Sequence, residues 1–264
     1  DRPRVQESRH PAQLEPDQPV RQAAGRGSDG RDMPLAVITG VVLAGVALFA
    51  FNLGRGPAAW LVAAIVTLGA GEVYGEVRKR GYQPAALLGL VGCFSLTLGA
   101  YWKGEAALPI VIALVVGFTP LWYLSQVVRA RATVNMALTL LVFGYVGVTG
   151  SFGGLVLGHP DGIGILIGLV VCVVAHDVGG LFIGSRIGTK KIAPRISPNK
   201  TVEGLAGGMA AAFLAGVLIA ARIEPWDAGS GAWLGLAVAF AAPVGDLCES
   251  MLKRDLGVKD IGGI

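Results

Sequence analysis

The chain has 264 residues, of which 53% are hydrophobic, only 15% are charged and 40 are glycine; its mean hydropathy is +0.62. Soluble domains carry about 25% charged residues, and a soluble protein this apolar would have no polar surface to offer water, so the composition excludes that class and predicts a membrane protein. The net charge of +4 is modest; no nucleic-acid partner is expected, and where the charges sit says more than their sum.

Residues 1–32 are polar and rich in Arg, Asp, Gln, Pro and Gly. They cannot bury a core and are expected to form a disordered, dispensable cytoplasmic tail. A spanning helix needs roughly 20 apolar residues. Eight such segments follow in chain order, at about 33–53, 57–75, 84–102, 105–125, 132–151, 162–182, 203–221 and 230–250. The predicted fold is therefore all-α, a polytopic transmembrane bundle. Glu72, near the end of the second segment, is placed at the interface. Cys93, Cys172 and Cys248 lie far apart in apolar runs or at a helix end, without metal-ligand spacing, and read as small buried hydrophobes.

Basic residues fix the orientation. One set of connections carries Arg21, Arg26 and Arg31, then Arg78, Lys79 and Arg80, then Arg129 and Arg131. It continues with Arg186, Lys190, Lys191, Arg195 and Lys200, and ends with Lys253, Arg254 and Lys259. The alternate set carries only Arg55, Lys103 and Arg222. Such alternation predicts an even number of helices with the N-terminus in the cytoplasm of a bacterial inner membrane. Polar pattern divides the chain further. Residues 33–160 are nearly featureless transmembrane helices, whereas 161–264 read as a catalytic transmembrane region around a cytoplasmic loop at 185–202.

Ionisable residues inside membrane segments are functional candidates. Asp177 and Asp246 sit late in the sixth and eighth segments, both of which run toward the cytoplasm, so the two carboxylates converge near one mouth and suit a divalent cation. His176 adjoins Asp177 and is read as a polar neighbour, with a proton-handling or metal-binding group as the alternative. On the eighth helix Asp246, Ser250 and Lys253 stand at i, i+4 and i+7 and share a face. That stripe suits a polyphosphate, metal at one end and cation at the other. The loop SRIGTKKIAPRISPNKTVEG concentrates basic residues and leads into a helix beginning near Glu203. Ser197, Asn199 and Thr201 are good cap residues, and a helix N-terminus beside Lys200 is a natural phosphate site.

These residues resemble a known family. Asp177, Gly184 and Gly188 followed by Lys191-Ile-Ala-Pro-Arg-Ile-Ser-Pro-Asn-Lys-Thr-Val-Glu-Gly204 are similar to the first conserved stretch of phosphatidate cytidylyltransferases (CDP-diacylglycerol synthases). Gly245-Asp246-Leu-Cys-Glu-Ser250-Met-Leu-Lys253-Arg254-Asp-Leu-Gly-Val-Lys259-Asp260 is similar to the start of their signature. The resemblance covers about residues 177–264. It implies synthesis of CDP-diacylglycerol and pyrophosphate from CTP and phosphatidic acid, with Mg²⁺ and room for a second, monovalent or divalent, cation. It implies Asp246 as a metal ligand, with Lys200, Lys253 and Asp260 in catalysis; Asp177 joins Asp246 as a metal candidate through its place in the topology, not through the resemblance. Ser197, Asn199, Thr201, Glu203, Arg186, Ser250, Arg254 and Lys259 are the implied substrate-binding shell. Other partners are membrane lipids and, from Gly-rich helices that pack closely, a second copy in a homodimer.

Leu181, Ser185 and Val202 depart from the family's usual Tyr, basic residue and Trp. The family signature also runs on, through Pro-Gly-His-Gly-Gly and an Asp-Arg pair into a ninth helix, so an incomplete, weakly active form is expected of a chain ending at Ile264. Two rival readings are another CTP-dependent membrane lipid enzyme of the polyprenol kinase kind and a cation-coupled secondary transporter. Ionisable residues gathered at one mouth argue against the transporter.

Overall fold

The computed structural model describes residues 33–125, 131–194 and 197–256; the expected tail at 1–32, and with it Arg129, Arg195, Lys259 and Asp260, lies outside the described residues. Each of the eight apolar segments is a helical rod. In order they are α1 (Met33–Leu53), α2 (Arg55–Lys79), α3 (Ala86–Lys103), α4 (Ala107–Leu124) and a rod made of α5 (Ala132–Val142), a π-helical turn (Phe143–Val148) and α6 (Thr149–Gly158). Then come α7 (Gly162–Ile187), a hairpin of β1 (Lys191–Ala193) and β2 (Ser197–Thr201), α8 (Val202–Leu218) and α9 (Ala228–Asp255). The described residues from Gly45 onward form one compact unit.

Among the described residues, six helical stretches are long and apolar enough to cross a membrane, and Ile38–Leu53 is a shorter apolar helix. One of the six, Ala86–Leu124, is 39 residues long. It is a hairpin and not a single rod. Gly104 takes a positive φ of 63° between its halves, and a Cβ on Gly99 would sit 3.1 Å from the Cβ of Ala107. Further from the turn, Gly92 faces Val115. At 18 residues each, α3 and α4 are about 27 Å long, one crossing apiece. The protein is a multi-pass membrane protein.

Two apolar cores hold the N-terminal helices. One joins Tyr74, Cys93, Leu96, Val115, Val142 and Phe143; the other joins Ala58, Ala63, Leu98, Leu157 and Leu166 and so ties α7 to α2 and α3. Apolar side chains have no preference for protein over lipid, so polar bonds and close backbone contact must supply specificity. Tyr74 donates to the Thr139 carbonyl at 2.7 Å, and Tyr123 donates to the Gln83 carbonyl at 2.9 Å. Asn135 and Thr139 accept from the Gln83 and Ala85 amides. These bonds tie α2 and the α2–α3 connection to α4 and α5. A third core, Cys172, Ala212, Ala220, Val238 and Ala239, belongs to α7, α8 and α9 with the short turn after α8.

The α7–α8–α9 unit is built on small residues. His176, Gly180 and Gly184 recur every four residues on α7 and meet Gly208 and Gly204 of the antiparallel α8. A Cβ on Gly204 would lie 2.9 Å from the Gly180 carbonyl oxygen and 3.0 Å from the Gly184 Cα. Between α8 and α9, a Cβ on Gly235 would lie 2.6 Å from the Ala212 carbonyl oxygen. Side chains at these positions would separate the helices, so the glycines set the spacing of the unit. Asp227 caps α9 in a reciprocal box with Ser230. The Ser230 amide and hydroxyl hold the Asp227 carboxyl below the usual carboxylate range.

Candidate active site

The segment expected as a cytoplasmic loop at 185–202 holds the end of α7 and a pair of short strands. Helix α7 runs on to Ile187, and the chain then folds into the antiparallel β1–β2 hairpin, with Lys191 opposite Thr201 and Ala193 opposite Ser197. Only Thr201, of the three cap candidates, caps α8. Its side chain accepts from the Gly204 amide at 3.1 Å, while Ser197 and Asn199 lie in β2. Strand β2 passes directly into α8, so Lys200 stands one residue before the helix cap. Gly184 and Gly188 pack against the Thr201 side chain, which seats the hairpin base on the end of α7.

Glu203 anchors this turn. Its carboxylate accepts from the Thr189 hydroxyl at 2.6 Å and amide at 3.1 Å, and from the Lys190 amide at 3.3 Å. A carboxylate in the first turn of α8 also favours the helix dipole. In this structure it holds the loop in place.

A cavity of about 590 Å³ lies between α7, the hairpin, α8 and α9, within the range of small-molecule sites. Asp177 lines it from α7, Ser197, Asn199, Lys200 and Thr201 from the hairpin, and Asp246 from α9. Lys200 and Asp246, 46 positions apart, form a hydrogen-bonded ion pair through Nζ and Oδ2. Both side chains keep about a third of their surface exposed. The two sequence motifs therefore meet in one place. Pro243, one turn before Asp246, also lines the cavity; it has no amide to offer the Ala239 carbonyl.

Other expected residues stand outside this cavity. Ser250 and Lys253 do not line it, and Lys253 pairs with Glu249 at 2.6 Å on its own helix. The stripe on α9 thus reaches the cavity only at its Asp246 end. Arg186 stacks 4.0 Å over the Phe182 ring, and Arg254 lies beyond Lys253 on the last turn of α9.

Three polar lining residues stand outside the set expected to carry the site. Lys191 brings a second cation to the cavity, and Ser185 a hydroxyl; the Lys-rich loop and the family's usual basic residue at position 185 hint at both. His176 is the third. Its Nδ1 lies 3.3 Å from Asp177 Oδ1, and it is buried where Asp177 is open. Adjacency to an intramembrane carboxylate is its only signal in the sequence.

The profile of the cytidylyltransferase family matches residues 34–264 of the chain. Phosphatidate cytidylyltransferase of Mycobacterium leprae is 33% identical over 254 residues, covering 88% of this chain and 80% of the relative. The Synechocystis protein of the same name is 31% identical over 232 residues, 76% of this chain and 77% of that one. The Bacillus subtilis one is 30% identical over 247 residues, 88% of each.

Proposed function

The chain belongs to the cytidylyltransferase family, and on that premise we propose that it transfers the cytidylyl group of CTP to phosphatidic acid, giving CDP-diacylglycerol and pyrophosphate. The observation that carries this reading is the meeting of Lys200 and Asp246 in one cavity with Asp177 and the hydroxyl- and amide-bearing strand β2.

In this reaction a phosphate oxygen of phosphatidic acid forms a bond to the α-phosphorus of CTP. The bond from that phosphorus to the oxygen bridging to the β-phosphate breaks, and pyrophosphate leaves with the electron pair. The phosphatidate monoester is already ionised at neutral pH, so no strong general base is required. Positioning and charge neutralisation dominate, as in other phosphoryl transfers. Lys200 and Lys191 offset phosphate charge across the cavity. Ser197 and Asn199 offer hydrogen bonds at its edge, and Thr201 and Glu203 hold the hairpin that presents them. Lys253 lies about 10 Å along α9 from Asp246. With Arg186, Ser250, Arg254, Lys259 and Asp260 it belongs to the outer, anion-attracting group of the proposal.

Mg²⁺ accepts one or two carboxylates completed by water and substrate oxygens. Asp246 and Asp177, hard oxygen donors on one cavity, fit that set and would hold it. Among the described residues no group of three or more His, Cys, Asp or Glu forms a closed metal cage. When bound, Mg²⁺ would neutralise charge on the attacking phosphate and on the leaving pyrophosphate. The basic connections support a bacterial inner-membrane protein whose N-terminus and active site face the cytoplasm, where CTP is met while acyl chains stay in the bilayer. The small-residue surfaces of the helices suit a homodimer.

The test is an assay of the purified full chain with CTP labelled at the α-phosphate, Mg²⁺ and phosphatidic acid in detergent. Label is expected in lipid-extractable CDP-diacylglycerol, with one pyrophosphate released per label transferred. CTP consumed with the label left in CDP, or no label in the lipid phase, would overturn the reading.

A further inference from the structure

Among the described residues, one buried side-chain polar atom has no hydrogen-bond partner, and it is His176 Nε2. The side chain of His176 keeps only 7% of its surface, while that of Asp177, next to it on α7, keeps 59%. A buried polar group without a partner costs about 1–3 kcal/mol, and such groups call for an explanation. The ring also has a place made for it. It lies against Gly208 of α8, where a Cβ would sit 2.8 Å from the His176 carbonyl oxygen and 3.0 Å from Nε2. The other ring nitrogen supplies the reason. Nδ1 lies 3.3 Å from Asp177 Oδ1. A carboxylate only accepts hydrogen bonds, so the contact requires the ring proton on Nδ1. With the ring wedged between α7 and α8, that donor holds a fixed position, and Asp177 is turned toward the cavity that both residues line.

We propose that His176 is a positioning residue for the active site: its Nδ1–H orients the Asp177 carboxylate for a divalent cation. The inference rests on the reading of Asp177 as a metal ligand. A group that holds a ligating carboxylate in place typically contributes 10–100-fold to metal affinity or activity. The helix itself cannot fix Asp177, whose side chain has open space on the cavity side. The packed imidazole can, because its own rotation is blocked by α8.

The test uses the purified full chain and Mn²⁺ alone, followed by the electron paramagnetic resonance of free Mn²⁺, with size-exclusion profile and thermal midpoint as folding controls. His176→Leu fills the space without a donor and should weaken Mn²⁺ binding about tenfold. His176→Asn places an amide donor near the Nδ1 position and should bind within about twofold of the parent. His176→Gln places its amide toward the Nε2 end and should behave as Leu does; it decides the matter should the Leu variant not fold. In turnover, the apparent KM for Mg²⁺ should rise in Leu and Gln, with that for CTP held near the parent's at saturating Mg²⁺. Asp177→Asn is the reference for the underlying reading. If Asp177→Asn weakens Mn²⁺ binding and Leu and Gln do not, the role of His176 is overturned. If Asp177→Asn binds as the parent does, the assignment of Asp177 falls first and takes the inference with it.

Discussion

Lys200 and Asp246 give the site its character at the scale of single residues. Neither is deeply buried, so their pairing contributes little to stability; its value is placement. A lysine one residue before a helix cap, on a strand pinned by Glu203 and Thr201, has a fixed root and a mobile head. That head can leave Asp246 for a substrate phosphate without moving the backbone. A charge-assisted bond to phosphate is worth about 1.5–3 kcal/mol, so Lys200→Ala should lower kcat/KM for CTP by about 10- to 100-fold. Lys190 and Lys191 stay in the segment to keep its orientation, so membrane insertion should survive. Unchanged kinetics in steady-state assays would reduce Lys200 to an orientation signal. The role of His176 could not be read from the sequence. Its burial depends on Gly208, which lies 32 positions away on another helix, and nothing local marks that contact.

Helices were legible because the bilayer demands about 20 apolar residues per crossing, and each predicted segment coincides with a rod. Their ends were less so. Hydropathy stops at the first polar residues, whereas α2 runs on through Glu76 to Lys79 and α9 through Lys253 to Asp255. The hairpin was missed for a physical reason. Strands of three and five residues are too short to show a period, and the prolines and lysines of KKIAPRISPNKT read as loop. What positions the site at this scale is glycine contact. A Cβ on Gly216 would run into the Gly231 carbonyl and sit 3.1 Å from the Gly235 Cα. Gly216→Leu should therefore push α9 off α8, lower the thermal midpoint and, by moving Asp246 away from Lys200, reduce turnover about 10²-fold, since displacements near 1 Å can have that effect. Gly117 on α4 has nothing within 4 Å of a Cβ, and Gly117→Ala should be silent in both measurements. Equal behaviour of the two variants would contradict the packing account.

Across the whole molecule, the N-terminal helices supply two apolar cores and the three C-terminal helices supply the chemistry, joined through α7, which packs into both. That division follows from where ionisable residues enter the sequence. That the two motifs gather at one mouth was legible from the topology and the family resemblance; that Lys200 meets Asp246 was not, because spacing along the chain does not say which side chains touch. The central claim is that the hairpin motif and the α9 motif together form a metal-dependent nucleotidyl transfer site. The most direct measurement is CDP-diacylglycerol formation by Asp246→Asn at saturating Mg²⁺, in protein shown to be folded and inserted. The amide keeps the shape and removes the charge, so turnover is expected to fall by about 10²-fold or more, beyond the effect typical of outer-shell residues. Turnover near that of the parent would remove Asp246 from the site and contradict the account.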